Sequence, residues 1–190
     1  MNRQSKADRS LTEIICSRRT IHNFKEEPVP EFEKIIKAID LARWAPNHHL
    51  TEPWHFYLPG KETVNRICYL KAEITREAKN ERAAGIKLKR WQQIPGWLIL
   101  TCANSHDPVR EREDYAACCC VAQNLLLLLW AEGIGAKWTT GEVTKDDRFY
   151  DLVHIDRQRE KVVGLFWYGF AAEIPATKRQ PVADTVTVLP

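Results

Sequence analysis

The chain has 190 residues, with 28 Lys and Arg against 25 Asp and Glu, a formal net charge of +3. That length suits one domain, 1–190, with a substantial core, and a content of 44% apolar and 28% charged residues excludes a low-complexity or disordered chain. The mild charge, with acidic and basic residues interspersed, argues against nucleic acid as a partner.

Residues 1–10 are polar and carry no apolar stretch of the kind a secretory signal needs. No apolar run approaches a membrane span, the longest being 125–131. The expectation is a cytoplasmic protein with no membrane partner. Ser10 and Glu13 stand three apart, as in a capping box, and open a short helix that should end near Arg18. After Pro28 and Pro30, the residues Phe32, Ile35, Ile36, Ile39 and Ala42 mark one face of a second helix. Pro46 stops it and starts a polar loop. Residues 54–58 read as a strand ended by Pro59 and Gly60. The charged stretch 61–90 reads as one or two surface helices with a weak point near Gly85.

The run 97–103 is apolar almost throughout and suits a strand buried on both faces. Asp107 and Pro108 open a long helix that is apolar nearly all round from Ala116 to Trp130. Such a helix has to be covered by the rest of the fold, by a partner subunit, or by both. Gly133 and Gly135 close it, and 136–141 return as a strand. A short helix near 146–154 leads to a buried strand over 161–170. The weak alternation of 184–189 suggests an added edge strand. No G-x-G-x-x-G follows a strand, so the dinucleotide fingerprint of the doubly wound fold is missing.

Cys16, Cys68 and Cys102 are isolated. Cys118, Cys119 and Cys120 are consecutive, and helical neighbours point about 100° apart, so the three cannot close on one ion. His48 and His49 lack a third ligand nearby. No metal is expected, and no Cys–His pair has the spacing of a nucleophilic couple. Arg18, Arg19 and Thr20 at a helix-to-loop junction suit a phosphate monoester, because guanidinium groups bind phosphate oxygens in pairs and a hydroxyl can satisfy a third. Lys178 and Arg179 would complete the neutralisation from the other end of the chain. The plain alternative is a surface pair and a solvated tail.

The segment 17–24, SRRTIHNF, resembles the S-R-R-S-x-x-x-F signature of the FMN-dependent nitroreductase family. ARWAPNHHLTEPWHFY is similar to that family's helix, Ala-Pro loop and strand. The apolar helix ending in AEGIGAKWTTG resembles the family's central helix and the segment after it. VVGLFWYGFAAEIPATKRQPV resembles its last strand, proline and phosphate-contacting Arg. The matches fall in order, leave out only 1–10 and 61–90, and are closest to small members provisionally named NAD(P)H nitroreductases.

The resemblance implies an α+β fold: a central mixed or antiparallel sheet flanked by helices, with the long central helix buried at a homodimer interface and one FMN at each of two interface sites. It implies Arg18, Arg19 and Thr20 on the phosphate side, joined by Lys178 and Arg179. Pro46, Asn47 and His48 match the loop that reaches the flavin of the other subunit, with Trp44 beside it. Trp138, Thr139, Thr140 and Gly141 match the segment along the ring. His22 stands where many members have Lys or Arg at the pyrimidine edge, and can carry charge only when protonated. Glu52 stands where Gln is usual, and a carboxylate cannot donate as an amide does, so Glu52 is expected to face solvent.

The activity implied is reduction of nitroaromatic or quinone-like acceptors by NADH or NADPH through hydride transfer in a ping-pong cycle, with no side chain required as acid or base. Two alternatives stay open: the same cradle serving reductive dehalogenation or flavin breakdown under a lid formed by 61–90, and a non-enzymatic nucleotide- or nucleic-acid-binding module using Arg18, Arg19, Lys178 and Arg179.

Overall fold

Residues 9–190 are described by the structure, a computed structural model; the polar segment 1–8, part of the stretch examined for a signal, lies outside them. The elements in order are α1 (Leu11–Ser17), α2 (Phe32–Ala42), β1 (Trp54–Tyr57), α3 (Lys61–Ala78), α4 (Glu81–Gln92), β2 (Gly96–Ala103), α5 (Pro108–Ala131), β3 (Gly135–Thr139), α6 (Asp147–Val153) and β4 (Glu160–Gly169). The four strands form one sheet in the order β1-β2-β4-β3, antiparallel throughout. This is the α+β, nitroreductase-like architecture expected.

Both sheet faces are covered, as the apolar run in β2 demands. Leu98, Leu100 and Cys102 point to a core shared with α2 and α5, while Trp97 and Ile99 point to one shared with α3, α4 and α6. Full burial contributes about 1.5–3 kcal/mol for each large apolar side chain, and Leu98, Ile99, Leu100, Leu125, Leu165 and Phe166 are among those fully buried.

The caps follow the sequence. Ser10 accepts from the Glu13 amide and Glu13 returns to the Ser10 amide at 2.7 Å, closing the box that starts α1. Asp107 accepts from Val109 N ahead of Pro108 and starts α5. Gly133 closes α5 with a φ of 78°, a backbone that residues with a Cβ resist.

Three expectations are corrected. The helical hairpin in 61–90 breaks at Lys79 and Asn80, not at Gly85, because the Asn80 side chain caps α4 through Ala83 N. In α2 the buried stripe is Ile35, Ala38 and Ala42, packed towards α5, which leaves Phe32 and Ile36 exposed. No strand forms over 184–189: the outer edge of β3 is taken instead by Thr20, bridged in parallel to Ala136, and by Ile21 N donating to Ala136 O at 3.1 Å.

The expectation for α5, cover by the rest of the fold, by a partner subunit or by both, is met within the chain in part. The helix buries Ala117, Cys118, Val121, Leu125 and Leu129 within the chain, but Ala116, Cys120 and Gln123 stay exposed along one stripe. One chain therefore covers this helix on one side only. By length and composition α5 could also cross a membrane, unlike the short run 125–131, but half of that stretch is buried inside the fold.

Candidate active site

Two separate cavities of about 500 Å³ each hold half of the expected site residues between them. The first is lined by Arg18, Thr20, Tyr115, Gln123, Leu126, Ala136, Trp138 and Thr140. Arg18 reaches it as the C-cap of α1, its amide donating to Ile14 O. Thr20 is placed by its bridge to Ala136. The Trp138 indole lies against Phe166, ring centroids 5.5 Å apart, and donates to Val163 O at 3.2 Å. It can lie there because residue 164 is glycine: a Cβ on Gly164 would fall 2.5 Å from the indole Cδ1.

The C-terminal arm comes near enough to Arg18 for the charge of Arg179 to act on it, although neither Lys178 nor Arg179 lines the cavity. The Arg18 guanidinium is pushed below the usual arginine range by burial first, then by the positive charges of Arg179 and Arg19. Arg179 is otherwise held only by Thr177, 3.3 Å away, and Lys178 is exposed beside it. Among the described residues no carboxylate pairs with Arg18, Arg19 or Arg179. Cations gathered without a counter-charge repel one another, so the arrangement is favourable only when an anion sits among them.

Three expected residues turn elsewhere. Arg19 donates to Cys16 O at 2.7 Å and to Arg18 O at 2.9 Å, so its guanidinium closes the end of α1 and does not line the cavity. Thr139 pairs with Leu165 in the sheet, opposite in direction to Trp138 and Thr140. His22 is exposed, and its imidazole is held below its ordinary pKa by burial, then by Lys137 and Arg90, with Glu173 opposing. Gly141 lies past the cavity and starts a single 3-10 turn, its carbonyl accepting from Thr144.

The second cavity is lined by Arg43, Trp44, Ala45, Pro46, Asn47, Leu50 and Glu52. Trp44 is 81% exposed, an unusual state for the largest apolar side chain. His48 turns away and meets Glu113 on α5 at 2.8 Å. Glu52 is exposed, as expected, and also borders this cavity. Sequence reading missed Tyr115 and Gln123 of α5; the signal for Gln123 is a polar residue within the apolar stretch 116–130, on the side the chain leaves exposed. A larger cavity of about 690 Å³, bordered by Glu26, Lys61, Gln93 and Tyr168, contains none of the expected residues.

The comparisons with known proteins agree with this geometry. A model described as the nitroreductase family matches residues 15–170, most of the chain. The chain belongs to the nitroreductase family. It is 31% identical over 183 residues to the Bacillus subtilis protein YfhC, which carries the provisional name NAD(P)H nitroreductase, with 93% of each chain covered. Among solved structures, a nitroreductase-like family protein from Bacillus cereus superposes with a TM-score of 0.84 at 25% identity, over 95% of this chain and 96% of the other. A structure of a provisionally named nitroreductase in complex with FMN, from Desulfovibrio desulfuricans, gives 0.76 at 19% identity, over 97% and 99% of the two chains.

Proposed function

We propose that this nitroreductase-family chain is an FMN-dependent oxidoreductase that reduces nitroaromatic or quinone-like acceptors at the expense of NADH or NADPH. The observation that carries the reading is one cavity lined by Arg18, Thr20, Trp138 and Thr140, with no carboxylate paired to Arg18 among the described residues and with the charge of Arg179 acting on it. A flavin phosphate would supply the missing negative charge beside Arg18, and Ala136 and Trp138 on β3 would be the residues that hold the ring. A cavity of about 500 Å³ lined mainly by polar groups, Arg18, Thr20, Tyr115, Gln123 and Thr140, with Trp138 as a flat apolar surface, suits the polar, phosphate-bearing side of a small cofactor. The names of relatives, NAD(P)H nitroreductase and a nitroreductase holding FMN, support the same assignment.

In this reading the chain holds, orients and shields, and bound FMN supplies the hydride chemistry. Arg18 and Thr20 bind the phosphate, with Arg179 and Lys178 neutralising it from the C-terminal arm. Thr140 and the backbone to Gly141 donate hydrogen bonds to the ring edge. His22 is held below its ordinary pKa and so is a poor carrier of positive charge at neutral pH, and Lys137 turns to the opposite face of β3, over the Trp167 ring, which leaves Arg18 as the cation that lines the cavity. The α3–α4 hairpin, which carries Arg90, forms a fixed wall against the sheet through Ile67, Ile74 and Trp91. Pro46, Asn47 and Trp44 lie in the other cavity and close the site only from a second copy, so the active form is a homodimer.

The test is purification in air followed by a visible spectrum and FMN titration, then NADH and NADPH oxidation with a nitroaromatic and a quinone as acceptors. A colourless protein that takes up no added FMN ends the reading. Product analysis with halogenated acceptors and with the flavin itself separates the reductase from dehalogenation or flavin breakdown. Affinity for a nucleic acid that falls steeply with salt would favour a binding module instead.

A further inference from the structure

We propose that Asp114 on α5 is a positioning residue, holding the 46–53 loop through Thr51 in the shape that offers Pro46 and Asn47 to the cofactor of a second copy. The inference rests on the function proposed above, and adds a residue that no part of that reading uses.

The loop is strained where it carries its side chains outward. His49, Leu50 and Glu52 have φ of 56°, 53° and 42°, a region that residues with a Cβ avoid. Such a backbone persists only where its surroundings over-determine it. Its downstream end is fixed, because Pro53 O accepts from Ala103 N of the sheet at 2.8 Å. Within the loop, Asn47 Oδ1 accepts from Glu52 N at 2.9 Å, and Thr51 N reaches His48 O only at 3.4 Å.

Two contacts tie the loop to α5. His48 meets Glu113 at 2.8 Å, but both side chains are largely solvated, and such pairs hold weakly. Thr51 Oγ1 donates to Asp114 Oδ1 at 2.6 Å, a short bond to a carboxylate whose side chain is 4% exposed. Among the described residues the other Asp114 oxygen has only the long 3.4 Å contact with Arg110 Nε. A buried carboxylate with so few donors is costly to keep, and an apolar residue would pack α5 as well. What Asp114 adds is a charge-assisted bond to the residue between Leu50 and Glu52, at the centre of the strain.

The test compares full-length Thr51→Val and Thr51→Ser with the unaltered protein, reading FMN affinity by fluorescence quenching and the melting temperature of FMN-free protein. Val keeps the shape and removes the hydroxyl; the expected result is FMN bound about tenfold more weakly. Thr51→Ser keeps the donor and is expected to restore the affinity. A lower melting temperature with unchanged FMN affinity in Thr51→Val overturns the proposal, as does weak binding that Ser fails to rescue. Should Thr51→Val not fold, Asp114→Asn keeps the shape and an acceptor without the charge; an intermediate loss of about threefold is expected, and unchanged affinity overturns the proposal. If the unaltered protein takes up no FMN, both readings fall. If it and Thr51→Val take up FMN equally, only this one does.

Discussion

Arg18 and Arg19 are chemically identical neighbours with different surroundings, and the difference makes a prediction. Arg18 lines the cavity, while Arg19 is spent on the carbonyls that end α1. Arg18→Gln removes a charge-assisted bond of about 1.5–3 kcal/mol, so FMN affinity should fall roughly tenfold to a hundredfold. Arg19→Gln should leave affinity near normal in the same titration. His22 gives a second contrast. Its folded pKa lies below the ordinary 6.5, from burial and then Lys137 and Arg90, so the unfolded chain binds this proton more readily. The resulting penalty on the fold is present in acid and fades as the pH rises past about 6.5. His22→Gln should therefore raise the melting temperature slightly at about pH 5.5 and not at pH 8. It should leave the flavin potential at pH 8 unchanged, because a neutral imidazole adds no charge at the ring. A drop in potential at pH 8 in His22→Gln would show that the imidazole carries the charge.

At the scale of elements, the site depends on how closely the 18–22 segment and Trp138 approach the sheet, and glycines permit both. A Cβ at Gly135 would fall 2.5 Å from Ile21 Cγ1, which is fully buried. Gly135→Ala should push the segment bearing Arg18 and Thr20 off β3, at a cost of about 1–3 kcal/mol. That corresponds to a melting temperature lower by roughly 3–10 °C, together with weaker FMN binding. Gly141→Ala, where an added Cβ meets nothing within 4 Å, is the control and should leave stability unchanged. Elements with strong local signals were legible: the Ser10 and Asp107 caps, the doubly buried β2, the periodic α2. Direction within them was not. Arg19 and Thr139 sit inside matched motifs and still turn away, because a helix end claimed one and the two-residue period of a strand turned the other. The weak alternation of 184–189 was no guide, since the segment is exposed and pairs with no strand among the described residues, while Thr20 and Ile21 lie along β3.

For the whole molecule, the two cavities of one chain are each incomplete, and an apolar surface extends beside them. Leu11 is 66% exposed, Leu41 44% and Trp44 81%. Leu11, Ile14, Leu41, Leu127 and Leu128 border a further apolar hollow between α1, α2 and α5, near the stripe of α5 that its own chain leaves bare. Such a patch on a soluble monomer is unfavourable and is relieved by association. If a second copy covers it, the dimer and the flavin site are one structure, and losing either loses both. Leu41→Glu places a charge in the patch, away from the phosphate-side cavity, in an already exposed position that the fold tolerates. It should convert dimer to monomer in sedimentation velocity and weaken FMN binding by at least tenfold, since the wall of Pro46 and Asn47 departs with the partner. A Leu41→Glu monomer that binds FMN as tightly as the unaltered protein would place the whole cofactor site within one chain.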